Sequence, residues 1–180
     1  MLFRSGSKPC PVYQYLRESA KSAANHQRSH LFAVCRQGDL WWHDFLWFAK
    51  VTEKTGCRPW IWSDYIWNHK DEFLNRMPKS VLQSNWYYGA SFEPAKMGAR
   101  GKYVEAYDWL DKAGFEQVPT GSNWSCDTNF SGTIKYCDTN CNKDLIKGYM
   151  MAPWTRTFAI HEEKSMQAID QLATAVKARA

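Results

Sequence analysis

The sequence lacks any long hydrophobic run. None of its apolar stretches approaches the about 20 residues that a membrane-spanning helix needs. The N-terminal segment MLFRSGSKPCPVYQYL contains an early proline and has no apolar core of the kind found in secretory signals. We therefore expect a soluble chain with no membrane partner, while the cellular compartment stays open.

The sequence also lacks a concentrated basic patch. The formal net charge is +5, but lysine and arginine are scattered along the chain rather than grouped into a stripe that would follow a phosphate backbone. We therefore expect no nucleic-acid partner. Stacking of bases on the aromatic residues keeps single-stranded nucleic acid as a lesser alternative.

No zinc-binding pattern is present either. The six cysteines do not form two spaced pairs, and a chain of this size does not need a disulfide scaffold to fold. We expect no metal and no cofactor, and the redox state of the cysteines stays open. Three of them are predicted to share one polar loop with Asp127 and Asp138: Cys126, Cys137 and Cys141.

Aromatic residues, in contrast, are abundant. They make up 16% of the chain and include ten tryptophans, and hydrophobic residues in total reach 44%. This is enough apolar material for one globular domain with a core. Because tryptophan often lies where one edge of the ring stays in contact with water, its abundance favours a binding surface.

From residue 31 onward, short apolar runs alternate with amphipathic segments, as expected for βα units and a parallel sheet. Residues 1–30 show no such pattern and form a separate, poorly defined segment. Five strands are predicted, in HLFAVC, RPWIWSDYIWNHK, SVLQSNWYYG, FEQVPTGSNW and IKGYMMAPW. Helices are predicted in GDLWWHDFLWFAKVTEKTG, KDEFLNRM, KYVEAYDWLDKAG and HEEKSMQAIDQLATAVKARA.

The predicted strands end alike, passing from apolar residues to polar and aromatic ones. In the strand predicted in RPWIWSDYIWNHK, alternation of side chains would put Trp60, Trp62 and Asp64 on one face. The triplet Ser-Asn-Trp occurs at residues 84–86 and again at 122–124. Since the carboxyl ends of parallel strands point the same way, we expect these segments to converge on one rim.

Such a rim suits a sugar. Indole faces pack on the apolar C–H faces of a pyranose, and carboxylate, amide and hydroxyl groups bind its hydroxyls. The alternative is that several tryptophans belong to the core and that Asp64 is a structural carboxylate. The candidate substrate-binding residues are Trp60, Trp62, Trp67, Asn85, Trp86, Tyr87, Asn123, Trp124 and Trp154.

Four of these segments, taken in order, give the chain a family resemblance. PWIWSDYIW, VLQSNWYYG, GFEQVPTGSNW and GYMMAPWTRT resemble the later strands of TIM-barrel glycoside hydrolases, most closely the family 20 β-N-acetylhexosaminidases and their uncharacterised bacterial relatives. The resemblance implies an α/β fold, a partial (β/α)8 TIM barrel over residues 31–180 with about five parallel strands and its first half missing. It also implies that full-length relatives include exported proteins.

The resemblance assigns roles to individual residues. Trp62 and Asp64 would belong to the N-acetyl pocket, and Trp86 and Tyr87 would form its walls. Trp124 and Trp154 would line it further. The pattern departs from the family after Trp154, where Thr155 and Arg156 stand in place of a carboxylate.

The family's catalytic pair is not found where the resemblance requires it. An adjacent Asp-Glu pair after the fourth strand would be needed, whereas this chain has only Asp71-Glu72, in a predicted surface helix. If a general acid lies within the chain, Asp64 is the candidate, with Glu93 or Asp127 as the second carboxylate. Glycosidase activity is therefore expected only if a complete barrel is present.

The sequence thus supports two functions: a glycoside hydrolase-like domain acting on or binding N-acetylhexosamine-type sugars, or a non-catalytic carbohydrate-binding module. A half-barrel would leave open sheet edges and an uncovered interior face. We therefore also expect either an oligomer or a missing N-terminal half-barrel as partner.

Overall fold

The computed structural model describes residues 38–178, and the boundary between its two compact units falls after Pro59. The strand predicted in HLFAVC and the separate segment predicted for residues 1–30 lie outside the described residues. The two units are treated in turn.

The described part of the first unit contains helix α1, Asp39–Lys54. Trp42, Phe45 and Ala49 are buried, and their spacing of three and four residues places them on one face of the helix. The helix ends before Gly56, which has a φ of 78°, a conformation that glycine adopts without steric cost. The helix predicted in GDLWWHDFLWFAKVTEKTG is confirmed, with Gly38 at the N-cap position.

The second unit repeats a strand followed by a helix four times. None of the helices in residues 38–178 combines the length and the hydrophobicity needed to cross a bilayer. The elements are β1 (Trp60–Trp62), α2 (Lys70–Arg76), β2 (Leu82–Ser84), α3 (Gly101–Lys112), β3 (Thr120–Gly121), α4 (Asn129–Asn140), β4 (Met150–Met151) and α5 (Glu162–Lys177). Short 3₁₀ helices span Asp64–Trp67, Pro94–Lys96, Gly98–Arg100 and Ala159–His161.

The four strands are parallel and adjacent in chain order. β1 pairs with β2, and β3 pairs with β4, while single bridges join Gln83 to Gln117 and Trp86 to Thr120 between the two pairs. Each crossover carries a helix, as parallel connections usually do. Four consecutive strand–helix repeats occur both in open parallel sheets and in barrels. The partial TIM barrel therefore stays a prediction.

Helices cover one face of this sheet. Gln117 donates a hydrogen bond to the carbonyl of Tyr107 in α3, at 3.1 Å, and α3 buries Val104, Tyr107 and Leu110. The core therefore lies between the sheet and the helices. In β1, Trp60 is exposed on the side opposite to the buried Ile61.

Helix α4 corrects the polar loop predicted around the last three cysteines. The segment is rich in polar residues, so its hydrophobic pattern does not indicate a helix. It nevertheless has a buried face, on which Phe130, Thr133 and Cys137 recur at helical spacing. Cys137 and Cys141 are buried free thiols, and burial raises the pKa of Cys137. Cys126 lies before the helix, with its sulfur 3.1 Å from the Thr128 hydroxyl.

Strand β1 is shorter than predicted. It ends at Trp62, and the backbone turns into the 3₁₀ helix Asp64–Trp67, in which Ile66 is buried. Trp60 and Trp62 do share a face, because Ile61 between them is buried on the other side. Asp64 lies outside the strand, so the prediction that strand alternation aligns it with the two indoles is wrong.

Candidate functional site

The carboxyl ends of three of the four strands bring aromatic residues together in space. Trp62 is the last residue of β1, Trp154 follows β4, and their ring centroids are 6.2 Å apart. Tyr88, after β2, has its ring centroid 6.1 Å from that of Trp154. Rings from three separate strand ends therefore meet at one edge of the sheet.

The run of ring contacts continues through the loop after β2. Tyr88 stacks on Trp86 at 4.9 Å with an interplanar angle of 24°, and Trp86 contacts the edge of Trp67 at 4.5 Å. All the rings in this run are partly exposed. We call this set the aromatic rim, and its members are Trp62, Trp67, Trp86, Tyr88 and Trp154.

Buried amide groups hold the rim in place. Asn85 accepts a hydrogen bond from the Trp67 indole nitrogen at 2.8 Å and donates one to the Tyr103 carbonyl at 2.8 Å. The Asn85 side chain is completely buried. It therefore orients Trp67 against α3 and does not face a ligand, contrary to its predicted role.

The backbone at Trp154 adopts an unusual conformation. Its φ is 54°, and it is the one non-glycine residue with positive φ in residues 38–178. The preceding segment is fixed to the sheet, because the Ala152 nitrogen donates to the Gly121 carbonyl and the Ser122 hydroxyl donates to the Ala152 carbonyl. A strained residue of this kind, held by its surroundings, is characteristic of binding and active sites.

Asp64 is placed next to the rim. It begins the 3₁₀ helix two residues after Trp62 and is partly buried. Both residues suggested as its partner carboxylate are exposed and bound to lysines: Glu93 lies 2.5 Å from Lys96, and Asp127 lies 2.8 Å from Lys164. The hydrogen bond and charge of Lys164 lower the pKa of Asp127, which opposes a role as a general acid.

Tyr87 lies on the opposite side of its segment from Trp86. Its ring contacts Phe92 edge to face at 5.3 Å within the core on the helix side, and burial raises its pKa. Tyr88, and not the predicted Tyr87, therefore belongs to the aromatic rim. Strict two-residue alternation from Trp86 would have identified Tyr88, whereas the family resemblance directed attention to the adjacent residue.

Three further predicted residues lie outside the rim. Asn123 is completely buried and donates to the Lys164 carbonyl at 2.9 Å, which fixes the start of α5. Trp124 is 61% exposed, and no ring contact within residues 38–178 links it to the rim. Trp60 lies at the start of β1, with its indole nitrogen 2.8 Å from the Ser84 hydroxyl.

Residues 38–178 contain no cluster of three or more histidine, cysteine or acidic side chains placed to hold a metal ion. Comparison with protein-family models, curated proteins and solved structures finds no match to this chain.

Proposed function

We propose that this protein binds carbohydrate of the N-acetylhexosamine type through the aromatic rim. The observation that supports this most directly is the continuous run of ring contacts, from Trp62 through Trp154, Tyr88 and Trp86 to Trp67, at the carboxyl ends of parallel strands. Ligand sites of α/β proteins occur preferentially at this edge.

The partly exposed rings match the chemistry of an amino sugar. Their faces would pack against the C–H face of a pyranose and the methyl group of an acetamido substituent. Asp64, two residues after Trp62, and Thr155, directly after Trp154, would supply polar groups for the hydroxyls. Rings already fixed by packing lose little conformational entropy when a ligand binds.

Binding is favoured over hydrolysis by the environment of the acidic residues. Glycoside hydrolysis usually takes two carboxylates flanking the bond. The lysine partners of Glu93 and Asp127 make both unsuitable beside Asp64. A glycosidase built on this rim would thus need a second carboxylate other than Glu93 and Asp127.

Calorimetric titration with N-acetylglucosamine oligomers tests the proposal. We expect Trp62→Ala to weaken binding about tenfold, since an aromatic contact of this kind is worth about 1 kcal/mol or more. Trp109→Ala is the matched control, because Trp109 is partly buried on α3 and lies under the Lys70 ammonium, outside the rim. Binding in the wild type that Trp109→Ala leaves unchanged supports the rim.

Four results would argue against sugar binding alone as the function. The absence of heat with any glycan, or equal losses in Trp62→Ala and Trp109→Ala, would exclude the rim as a sugar site. Oligonucleotide binding that falls steeply with salt would favour single-stranded nucleic acid instead. Release of aryl alcohol from aryl N-acetylhexosaminides, reduced in Asp64→Asn, would show catalysis rather than binding alone.

A further inference from the structure

Helix α5 packs on the rest of the protein through one side, in which Ala168 is the buried residue, and presents its large apolar residues on another side. On the covered side, Ala168 is buried, and the Asn123 amide donates to the Lys164 carbonyl at 2.9 Å and lies 3.2 Å from the Gln167 side-chain oxygen. Lys164 also binds Asp127 at 2.8 Å. These contacts fix which way the helix faces.

The other side carries four large apolar residues in contact with solvent. Their exposed fractions are 49% for Met166, 56% for Ile169, 36% for Leu172 and 61% for Val176. Their spacings of three, three and four residues place them on one side of the helix. We call these four residues the α5 stripe.

Exposed apolar surface continues beyond the stripe. Phe158 and Ile160, just before the helix, are 61% and 84% exposed. Exposed apolar surface of this kind commonly marks an interaction site.

We propose that the α5 stripe forms an antiparallel contact with the α5 stripe of a second copy of this chain. The charges on the helix favour this occupant. Glu162 and Glu163 lie in the first turn and Lys177 in the last turn. An antiparallel pair brings acid from one copy towards base from the other at both ends, whereas a parallel pair would align like charges.

The apolar residues are also self-complementary in this arrangement. A two-fold axis near residue 171 places Met166 opposite Val176 of the second copy, and Ile169 opposite Ala173. A small residue facing a large one lets two helices approach to about 8–10 Å. A single helix pair is smaller than a standard interface of about 1,600 Å², so a dissociation constant on the order of micromolar is expected.

Sedimentation equilibrium over a range of protein concentrations tests the contact. The wild type should show a monomer–dimer equilibrium, and Ile169→Glu should weaken dimerisation at least about tenfold, since it puts two carboxylates into the apolar contact. Val51→Glu is the matched control, because Val51 is a β-branched residue on α1 and is 38% exposed. Circular dichroism of each variant shows whether its helices are retained.

A charge exchange tests the antiparallel direction. Glu162→Lys and Lys177→Glu should each weaken the dimer about twofold to fivefold, and the double variant should restore wild-type dimerisation. A wild type that stays monomeric at all concentrations would overturn the proposal, as would equal effects of Ile169→Glu and Val51→Glu. Failure of the double variant to recover would overturn the antiparallel pairing.

Discussion

Individual residues of the rim depend on unusual local environments. Trp154 is held at a φ of 54°, and residues with a Cβ normally avoid this region because the Cβ meets the following carbonyl. The cost is about 1–2 kcal/mol. The segment before it is fixed to β3, so the backbone is not free to relax.

At position 154, a glycine variant should therefore be more stable than an alanine variant, which reverses the usual order of stability. We expect Trp154→Gly to be more stable than Trp154→Ala by roughly 1 kcal/mol, because glycine alone adopts positive φ without strain. Urea unfolding of the two variants gives the difference, and both lack the indole, so lost packing cancels. If alanine proved the more stable, the backbone at residue 154 would not be left-handed in solution.

Asp108 on α3 is a second residue in an unfavourable environment. Burial raises the pKa of its carboxyl group, although the Tyr136 hydroxyl donates a hydrogen bond to Oδ2 at 2.8 Å. Its other oxygen, Oδ1, is buried and has no hydrogen-bond partner among the described residues. The folded protein therefore binds the proton of the Asp108 carboxyl group more tightly than the unfolded chain does.

The raised pKa of Asp108 predicts a specific pH dependence. Between the unfolded-state pKa near 3.8 and the higher folded-state pKa, the native protein binds more protons, so this group's contribution to stability falls as pH rises. Asp108→Asn, which cannot ionise, should gain stability relative to the wild type from acid to neutral pH. Urea unfolding at several pH values measures this difference.

The exposed carboxylate Asp144 provides the control for this experiment. Asp144→Asn should not reproduce the relative gain, since that side chain lies at the surface. A stability difference between Asp108→Asn and the wild type that stays constant across pH would show that ionisation of Asp108 is not unfavourable in the folded state.

At the level of the elements, α4 packs unusually close to the sheet. A Cβ added at Gly121 in β3 would lie 3.0 Å from the Phe130 Cα, 3.0 Å from its Cδ2 and 3.0 Å from the Thr133 hydroxyl. One of these atoms is backbone and cannot rotate away. The glycine therefore sets how near the helix lies to the strand.

Adding a methyl group at this position should destabilise the second unit. We expect Gly121→Ala to lower the free energy of unfolding by about 1–3 kcal/mol, the usual cost of overpacking a core. Denaturant unfolding measures the loss. Removing the Thr133 hydroxyl in a Gly121→Ala/Thr133→Ala double variant should recover only part of it, because the contact with the Phe130 backbone persists. Wild-type stability in Gly121→Ala would mean that α4 packs further from β3.

The elements also show where local sequence was informative. Helices α2 and α5 fall within the predicted segments and α3 begins one residue before its own, because their apolar spacing and charged ends are local properties. Helix α4 escaped prediction because Thr133 and Asn129 belong to its buried face, and polar residues do not register in a hydrophobic pattern. Their burial depends on partners elsewhere in the chain: Asn129 accepts a hydrogen bond from the Ser122 nitrogen at 2.8 Å.

For the whole molecule, the repeated strand–helix order was predictable except at α4, since it follows from alternating patterns along the chain. The rim was predictable only in part. Trp62, Trp86 and Trp154 come together as the common direction of parallel strand ends suggests. Tyr88 was missed, and Asn85 and Asn123 proved to be internal supports, because whether an amide serves a ligand or the fold depends on its three-dimensional neighbours.

The sequence by itself determined the alternation of strands and helices, the wealth of aromatic residues and their position at the ends of strands. These are local properties, carried by periodicity and residue type. Tertiary structure alone decided that rings from three strand ends meet, that Asp127 is bound to Lys164 and which side of α5 stays exposed. Such contacts join residues far apart in the chain, and their geometry arises only when strands and helices pack together.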